Sequence, residues 1–357
     1  MPKPFENIKI NKTYFQKIEN KNTVPKDISG LQNIGNTCFM NSIIQCLRHD
    51  YQLSSYFISD KYLNEISENK NKVHIELLEN WVEIIKLLIK NNVVIVPHKF
   101  LGIVQKLSII LDKQFIGFNQ NDAQEFLQFI MECMHESLEF KVNITIDGEQ
   151  KNELDKLKMQ SYKEFINYFK KSYSIITEYY YGQYISSITN NKDKEISYSF
   201  DPFCSLSLEI PENKDDLDIY DCLNHFCKEE KIELQKKNYT KDTIFKKNIH
   251  FINLPQRLII FFKRYNNKSK KINKLINFPL KLNMSKYSLD ERNIYNLYGI
   301  CYHKGTIGTG HYYAICKNLT KNNGKILWFE YNDANRKFIL EKDLPKNDAY
   351  CLFYERL

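Results

Sequence analysis

Gly30-Leu31-Gln32-Asn33-Ile34-Gly35-Asn36-Thr37-Cys38-Phe39-Met40-Asn41-Ser42 joins two different textures within thirteen residues. Up to Thr37 it is rich in Gly and Asn, the residues that form turns and accept unusual backbone angles. From Cys38 onward Phe39, Ile43, Ile44 and Leu47 recur at helical spacing. A loop therefore delivers Cys38 to the first turn of an apolar helix. Unpaired N–H groups and the positive end of the helix dipole collect there and favour a thiolate, the nucleophilic form of cysteine. The ordinary fate of a cysteine inside a cell is that of a small buried hydrophobe. Placement alone singles out Cys38 among the nine in the chain.

Working outward, the helical pattern continues. His74 to Lys90 carries Ile75, Leu77, Leu78, Trp81, Ile84, Ile85 and Leu88 on one face; Pro97 to Leu111 predicts another helix, and Gln120 to Leu138 a third. After about residue 175 short Tyr- and Ile-rich runs take over, at Tyr179 to Thr189 and Tyr198 to Ile210, and they predict strands. Asp218 to Leu234 interrupts them with a helical pattern. Five further runs follow: Arg257 to Tyr265, Tyr295 to His303, His311 to Asn318, Ile326 to Tyr331 and Ala349 to Tyr354. Their short connections predict an antiparallel sheet. Residues 1–29, with Pro25 near the end, read as a polar arm. The expectation is an α+β architecture, a helical lobe followed by a sheet lobe, with a cleft between them.

Composition narrows the function classes. With 43% hydrophobic and 14% aromatic residues in 357, the chain can bury a large core, which excludes global disorder and collagen-like sequence. The net charge of +8, from 51 basic and 43 acidic residues, does not require nucleic acid. Its densest basic stretch, Lys263, Arg264, Lys268, Lys270, Lys271 and Lys274, is mixed with Asn and Ser between two strand-like runs and reads as a solvated loop. The first ten residues have no apolar core for a signal peptide. The apolar windows at Trp81 to Pro97 and Leu258 to Phe262 are interrupted or too short for a bilayer. Nine cysteines, an odd number with no C-x-x-C pair, read as reduced thiols of the cytoplasm or nucleus. Cys222, His225 and Cys227 lie close together but lack a second pair to complete a tetrahedron, so no metal is expected.

A cysteine nucleophile also needs a base, a group that orients the base, and donors for the oxyanion. His311 stands in Gly308-Thr309-Gly310-His311-Tyr312-Tyr313, where glycines permit close approach before a strand begins. About twenty residues later Trp328-Phe329-Glu330-Tyr331-Asn332-Asp333 ends another apolar run. Adjacent antiparallel strands would bring Asn332 beside His311, and Asn332 or Asp333 would then select the imidazole tautomer.

Order and wording together identify a resemblance. The stretch from Gly30 to Ser42 resembles the cysteine box of the ubiquitin-specific proteases, and Gly310-His311-Tyr312-Tyr313-Ala314 with Phe329 to Asp333 resembles their histidine box. Gln120-Asn121-Asp122-Ala123-Gln124-Glu125-Phe126-Leu127, Leu254-Pro255 running into Phe262-Lys263-Arg264-Tyr265, and Ala349 to Tyr354 also look like family signatures in family order. The resemblance covers residues 30–356. It implies a papain-like cysteine protease fold with a helical thumb at about 30–170, β fingers at about 175–250 and an antiparallel palm at about 251–356. It implies Cys38 as nucleophile, His311 as general base and acid, Asn332 as orienter, Asp333 as auxiliary, and Asn33 as an oxyanion donor. Asp122 and Glu125 would contact the basic tail of ubiquitin, although Asp-x-x-Glu before a helix is also a capping pattern. Tyr312 would line the tail channel. The implied reaction is hydrolysis of the (iso)peptide bond after the terminal glycine of ubiquitin through a Cys38 thioester. It needs no cofactor, nucleic acid or membrane, and the chain would act as a monomer on ubiquitin and ubiquitinated proteins. Two alternatives share the resemblance: a protease for another ubiquitin-like modifier, and a non-catalytic ubiquitin-binding module. Family members commonly carry two C-x-x-C pairs at the finger tips, where this chain reads Asn190-Asn191-Lys192-Asp193 and Asn238-Tyr239-Thr240-Lys241, with no zinc ligands.

Overall fold

The computed structural model describes residues 9–11, 28–66, 72–90, 92–190, 196–212, 214–233, 244–265, 270–289, 293–306, 309–322 and 325–357. Both finger-tip tetrapeptides beyond Asn190, most of the N-terminal arm, Lys268 and Gly308 lie outside the described residues. Helices come first: α1 (Cys38–Arg48), α2 (Tyr51–Ile58), α3 (Lys72–Lys90), α4 (His98–Ile110), α5 (Ala123–Leu138), α6 (Glu153–Phe169) and α7 (Ile175–Tyr180). The helices expected at His74 to Lys90, Pro97 to Leu111 and Gln120 to Leu138 are α3, α4 and α5, and the one expected from Cys38 is α1. Helix α5 starts three residues later than expected, because Asp122 stays extended and caps the helix, its Oδ1 accepting from the N–H groups of Gln124 and Glu125.

The principal strands of the two larger sheets are β1 (Gly182–Asn190), β2 (Ile196–Phe203), β3 (Leu206–Leu208), β4 (Glu230–Ile232), β5 (Phe245–Asn253), β6 (Arg257–Phe262), β7 (Ile294–Lys304), β8 (His311–Asn322), β9 (Lys325–Asn332), β10 (Asn335–Ile339) and β11 (Ala349–Arg356). They form a four-stranded fingers sheet in the order β2-β1-β5-β4 and a palm sheet in the order β10-β9-β8-β7-β11-β6-β3, with Lys281–Asn283 added against β7.

Three sequence expectations are corrected. Tyr179 and Tyr180 finish α7, which Ser174 caps, and the strand begins only at Gly182. Asp218 to Leu234 is not one helix: α8 (Ile219–Phe226) is closed at its start by an Asp218/Asp221 capping box, and Glu230–Ile232 pairs with β5 instead. Tyr198 to Ile210 also divides, because the chain leaves the fingers after Phe203 and enters the palm as β3. There it runs parallel to β6, the one parallel pair of the palm sheet among the described residues.

The reason β6 reads as an unbroken apolar run is visible in its neighbours. All six residues are buried; Ile259 and Phe261 join the core under the thumb helices, while Leu258, Ile260 and Phe262 join the core on the opposite face. A strand covered on both sides loses polar alternation. Helix α1 is covered in the same way, with all eleven residues buried between α5 and strands β7 and β8.

A buried ion pair ties the two lobes. Arg257 Nε donates to Asp50 Oδ2 at 2.8 Å, with side chains only 5% and 1% exposed. Tyr180 Oη donates to the same oxygen at 2.6 Å, and Asp50 Oδ1 caps α2. Burial alone would push the Arg257 pKa down; the Asp50 carboxylate holds it above its ordinary value. Removing one partner leaves an uncompensated buried charge. Asp50→Ala and Arg257→Ala are each expected to destabilise the chain by about 3–5 kcal/mol, read as a fall in the urea midpoint, with Asp50→Asn milder because the amide oxygen still accepts.

Candidate active site

Cys38 is the first residue of α1 and is 4% exposed. The loop before it is folded by Asn33, whose Oδ1 accepts from Gly35 N–H at 3.2 Å and Thr37 N–H at 3.1 Å. Thr37 Oγ1 accepts from Ile34 N–H at 3.2 Å. These short-range bonds are why a Gly- and Asn-rich stretch can end on one defined helix start.

His311 is the first residue of β8, and its Nε2 lies 2.7 Å from Asn332 Oδ1. An amide oxygen only accepts, so Nε2 carries the proton and Nδ1 is the ring nitrogen left for Cys38. The register explains the meeting: Ala314 stands opposite Tyr331, so the ends of β8 and β9 bring His311 and Asn332 together. The hydrogen bond with Cys38 is the largest cause that raises the His311 pKa, burial opposes it, and Asn332 and Asp333 add to the rise, to about 9.

Asp333 is not the orienter of His311. Its Oδ2 is 3.8 Å from His311 Nε2, and its carboxylate accepts instead from Asn33 Nδ2 at 3.0 Å and Asn41 Nδ2 at 2.8 Å. It sits at φ +52° in the turn between β9 and β10, and its carbonyl accepts from Leu31 N–H at 3.0 Å. It fastens the histidine turn to the cysteine loop. The same bond commits one of the two amide hydrogens of Asn33.

Asp122 is likewise occupied. Beyond the α5 cap, its Oδ2 accepts from Tyr350 Oη at 2.6 Å and Tyr312 Oη at 3.4 Å. Tyr312, expected to line the tail channel, is buried, and burial followed by the Asp122 charge raises its pKa. Glu125 is exposed and bonds Gln114 Nε2 instead of closing a capping box, and burial followed by Asp122 raises its pKa. It borders a cavity of about 330 Å³ shared with Asp112, Gln128 and Glu132.

Sequence reasoning missed His303. It is the last residue but one of β7, opposite Tyr312 in the register, with its ring centroid 4.4 Å from that of Tyr312 and its Nδ1 2.8 Å from Tyr265 Oη. A Cβ on Gly310 would fall 2.0 Å from His303 Nε2, which explains the glycine immediately before His311. Burial first, and then Lys271, pushes the His303 pKa down to about 4. Its apolar neighbours along β7 carried no signal of this role. Among the described residues no group of three or more His, Cys, Asp or Glu, Cys222, His225 and Cys227 included, is placed to hold a metal ion.

Residues 29–354 match the family model described as Ubiquitin carboxyl-terminal hydrolase. Human Ubiquitin carboxyl-terminal hydrolase 2 is 31% identical over 345 residues, covering 92% of this chain and 55% of the relative. Ubiquitin carboxyl-terminal hydrolase 4 of Saccharomyces cerevisiae is 28% identical over 370 residues, covering 92% and 39%. The chain thus spans about half the length, or less, of these curated relatives. Among solved structures, the SAGA DUB module Ubp8/Sgf11/Sus1/Sgf73 bound to ubiquitin aldehyde matches with a TM-score of 0.71 at 27% identity, covering 94% of this chain and 70% of that one. The module bound to monoubiquitin matches with a TM-score of 0.71 at 26% identity, covering 95% and 72%.

Two opposite titrations follow. A histidine whose folded pKa is raised contributes stability that is full below its ordinary value of 6.5 and is lost as pH rises through about 9. Cys38→Ala removes the largest cause, so the His311 midpoint, followed by NMR of the ring protons, is expected to fall. His303 behaves inversely, because the unfolded chain binds its proton more readily. Its contribution is full above 6.5 and is lost as pH falls toward about 4. His303→Gln should flatten that acid limb of the melting-temperature profile.

Proposed function

Since the chain belongs to the ubiquitin carboxyl-terminal hydrolase family, we propose that it is a deubiquitinating cysteine protease that cleaves the (iso)peptide bond after the terminal glycine of ubiquitin. The observation that carries this is His311, held by Asn332 on one ring nitrogen and near enough to Cys38 for the thiol to be the largest cause of its raised pKa. Cys38 as thiolate attacks the carbonyl carbon. Negative charge on the carbonyl oxygen is met by backbone N–H groups at the start of α1, with the remaining amide hydrogen of Asn33 as a further donor. Protonated His311 gives its proton to the leaving amine, and the C–N bond breaks to leave a Cys38 thioester. Water then attacks the thioester with His311 as base, releasing the carboxylate and the thiol.

Asn332 orients the base, and Asp333 acts through Asn33 and Asn41. Glu125, exposed beside an acidic cavity, is the better placed of the two acidic candidates to meet basic residues of the ubiquitin tail. Asp122 acts chiefly by holding Tyr312 and Tyr350 in place. The reading makes the chain a monomer acting in the cytoplasm or nucleus, without nucleic acid. Its partners are ubiquitin and ubiquitinated proteins.

Cys38→Ala is expected to abolish hydrolysis of a fluorogenic ubiquitin C-terminal amide while retaining ubiquitin binding by calorimetry. Turnover above trace in that variant would remove Cys38 as the nucleophile. A panel of propargylamide probes built on ubiquitin and on other ubiquitin-like modifiers is expected to label wild type with ubiquitin fastest. Preferential labelling by another modifier would replace the substrate but keep the chemistry.

A further inference from the structure

Phe118 is an exposed aromatic in the loop between α4 and α5, 65% accessible, yet it is not idle. Its ring lies against the backbone of Gly35, so closely that a Cβ at residue 35 would stand 2.3 Å from Phe118 Cδ1. Its carbonyl accepts from Asn36 Nδ2 at 2.8 Å. The loop is itself held to α4, because Gln105 Nε2 donates to Gly117 O at 2.8 Å. Gly35 and Asn36 both have positive φ, at +115° and +55°. They are the two residues whose backbone turns the chain toward Thr37 and Cys38.

The loop before the nucleophile is therefore gripped from two sides. Asn33 and Thr37 hold it from within by hydrogen bonds to its own N–H groups. Phe118 closes it from outside with a ring contact and a carbonyl. An aromatic that remains largely in solvent gains little from burial, so core packing does not account for its position. Resting on the thioester reading above, we infer that Phe118 is a positioning residue for acylation: it fixes the Gly35–Asn36 turn so that the N–H groups at the start of α1 face the developing oxyanion.

The role has a kinetic signature. Oxyanion donors act in the transition state, so their misplacement lowers kcat and leaves substrate binding largely unchanged. Alkylation of Cys38 by iodoacetamide forms a C–S bond and expels iodide without any tetrahedral oxyanion. It reports the nucleophile but not the loop.

The test measures hydrolysis of a fluorogenic ubiquitin C-terminal amide, Cys38 alkylation and melting temperature for wild type, Phe118→Ala, Phe118→Leu and Phe118→Tyr. Phe118→Ala is expected to lower kcat roughly tenfold to a hundredfold, with KM within about twofold and alkylation unchanged. Phe118→Leu should be intermediate, Phe118→Tyr should keep the wild-type kcat, and melting temperatures should stay close together, as for other exposed positions. In a Gly35→Ala background the ring is already displaced, so adding Phe118→Ala should slow the enzyme no further.

Unchanged kcat in Phe118→Ala, a rise in KM alone, alkylation falling in step with kcat, or independent multiplication of the two effects would each overturn the inference. Absence of hydrolysis by wild type would overturn the reading beneath it, and the inference with it; an active wild type with an unaffected Phe118→Ala would overturn the inference alone.

Discussion

The burial of α1 between the thumb helices and the palm sheet is the constraint on which the site depends. Cys38 belongs to that helix and His311 to a palm strand, so the two meet only if the helix lies close against the sheet. Small side chains make the approach possible. Cys46 Sγ is 4.0 Å from Cys316 Sγ, Ser42 Oγ is 3.4 Å from Cys301 Sγ, and Cys301 and Cys351 stand side by side on neighbouring strands. Four of the nine cysteines thus serve as small buried hydrophobes at one interface, where larger residues would push the helix and Cys38 away from His311.

Close approach sets distance but not angle, and the angle comes from polar groups around the site. Asp333 turns the chain at the end of β9 in a left-handed conformation that Asp tolerates. With two carboxylate oxygens and one carbonyl it holds Asn33, Asn41 and Leu31. Asn332, one residue earlier, is then free to face His311. One residue orients the His311 ring and its neighbour supplies the join between lobes, a division that two adjacent polar residues do not reveal by themselves.

Two histidines close to one another have opposite acidities for physical reasons. His311 is half-exposed, touches a thiol and an amide oxygen, and holds its proton more tightly than a free imidazole. His303 is buried among Tyr265, Tyr312 and Tyr350, near Lys271, and stays neutral. The neutral ring packs under Gly310 without adding a second positive charge beside His311. Asp122 completes the layer by accepting from Tyr312 and Tyr350 while capping α5.

The sequence by itself determined the local elements and singled out the residues of the candidate site. Helical periodicity in α3, α4 and α5, the turn-to-helix change at Cys38, the glycine before His311 and the apolar run ending at Asn332 are all short-range patterns, because each reflects which face of one segment is buried. What it did not determine depends on partners distant in the chain. Tyr179 and Tyr180 resemble strand residues until the Ser174 cap draws them into α7, and the segment after α8 becomes a strand because β5 offers it an edge. The likeness to a known family pointed to Asp122 and Asp333, but tertiary contact decided what each carboxylate holds. His303 and Phe118 gave no local signal at all. One is recognised only by what Gly310 and Tyr312 place above it, the other only by the glycine beneath its ring.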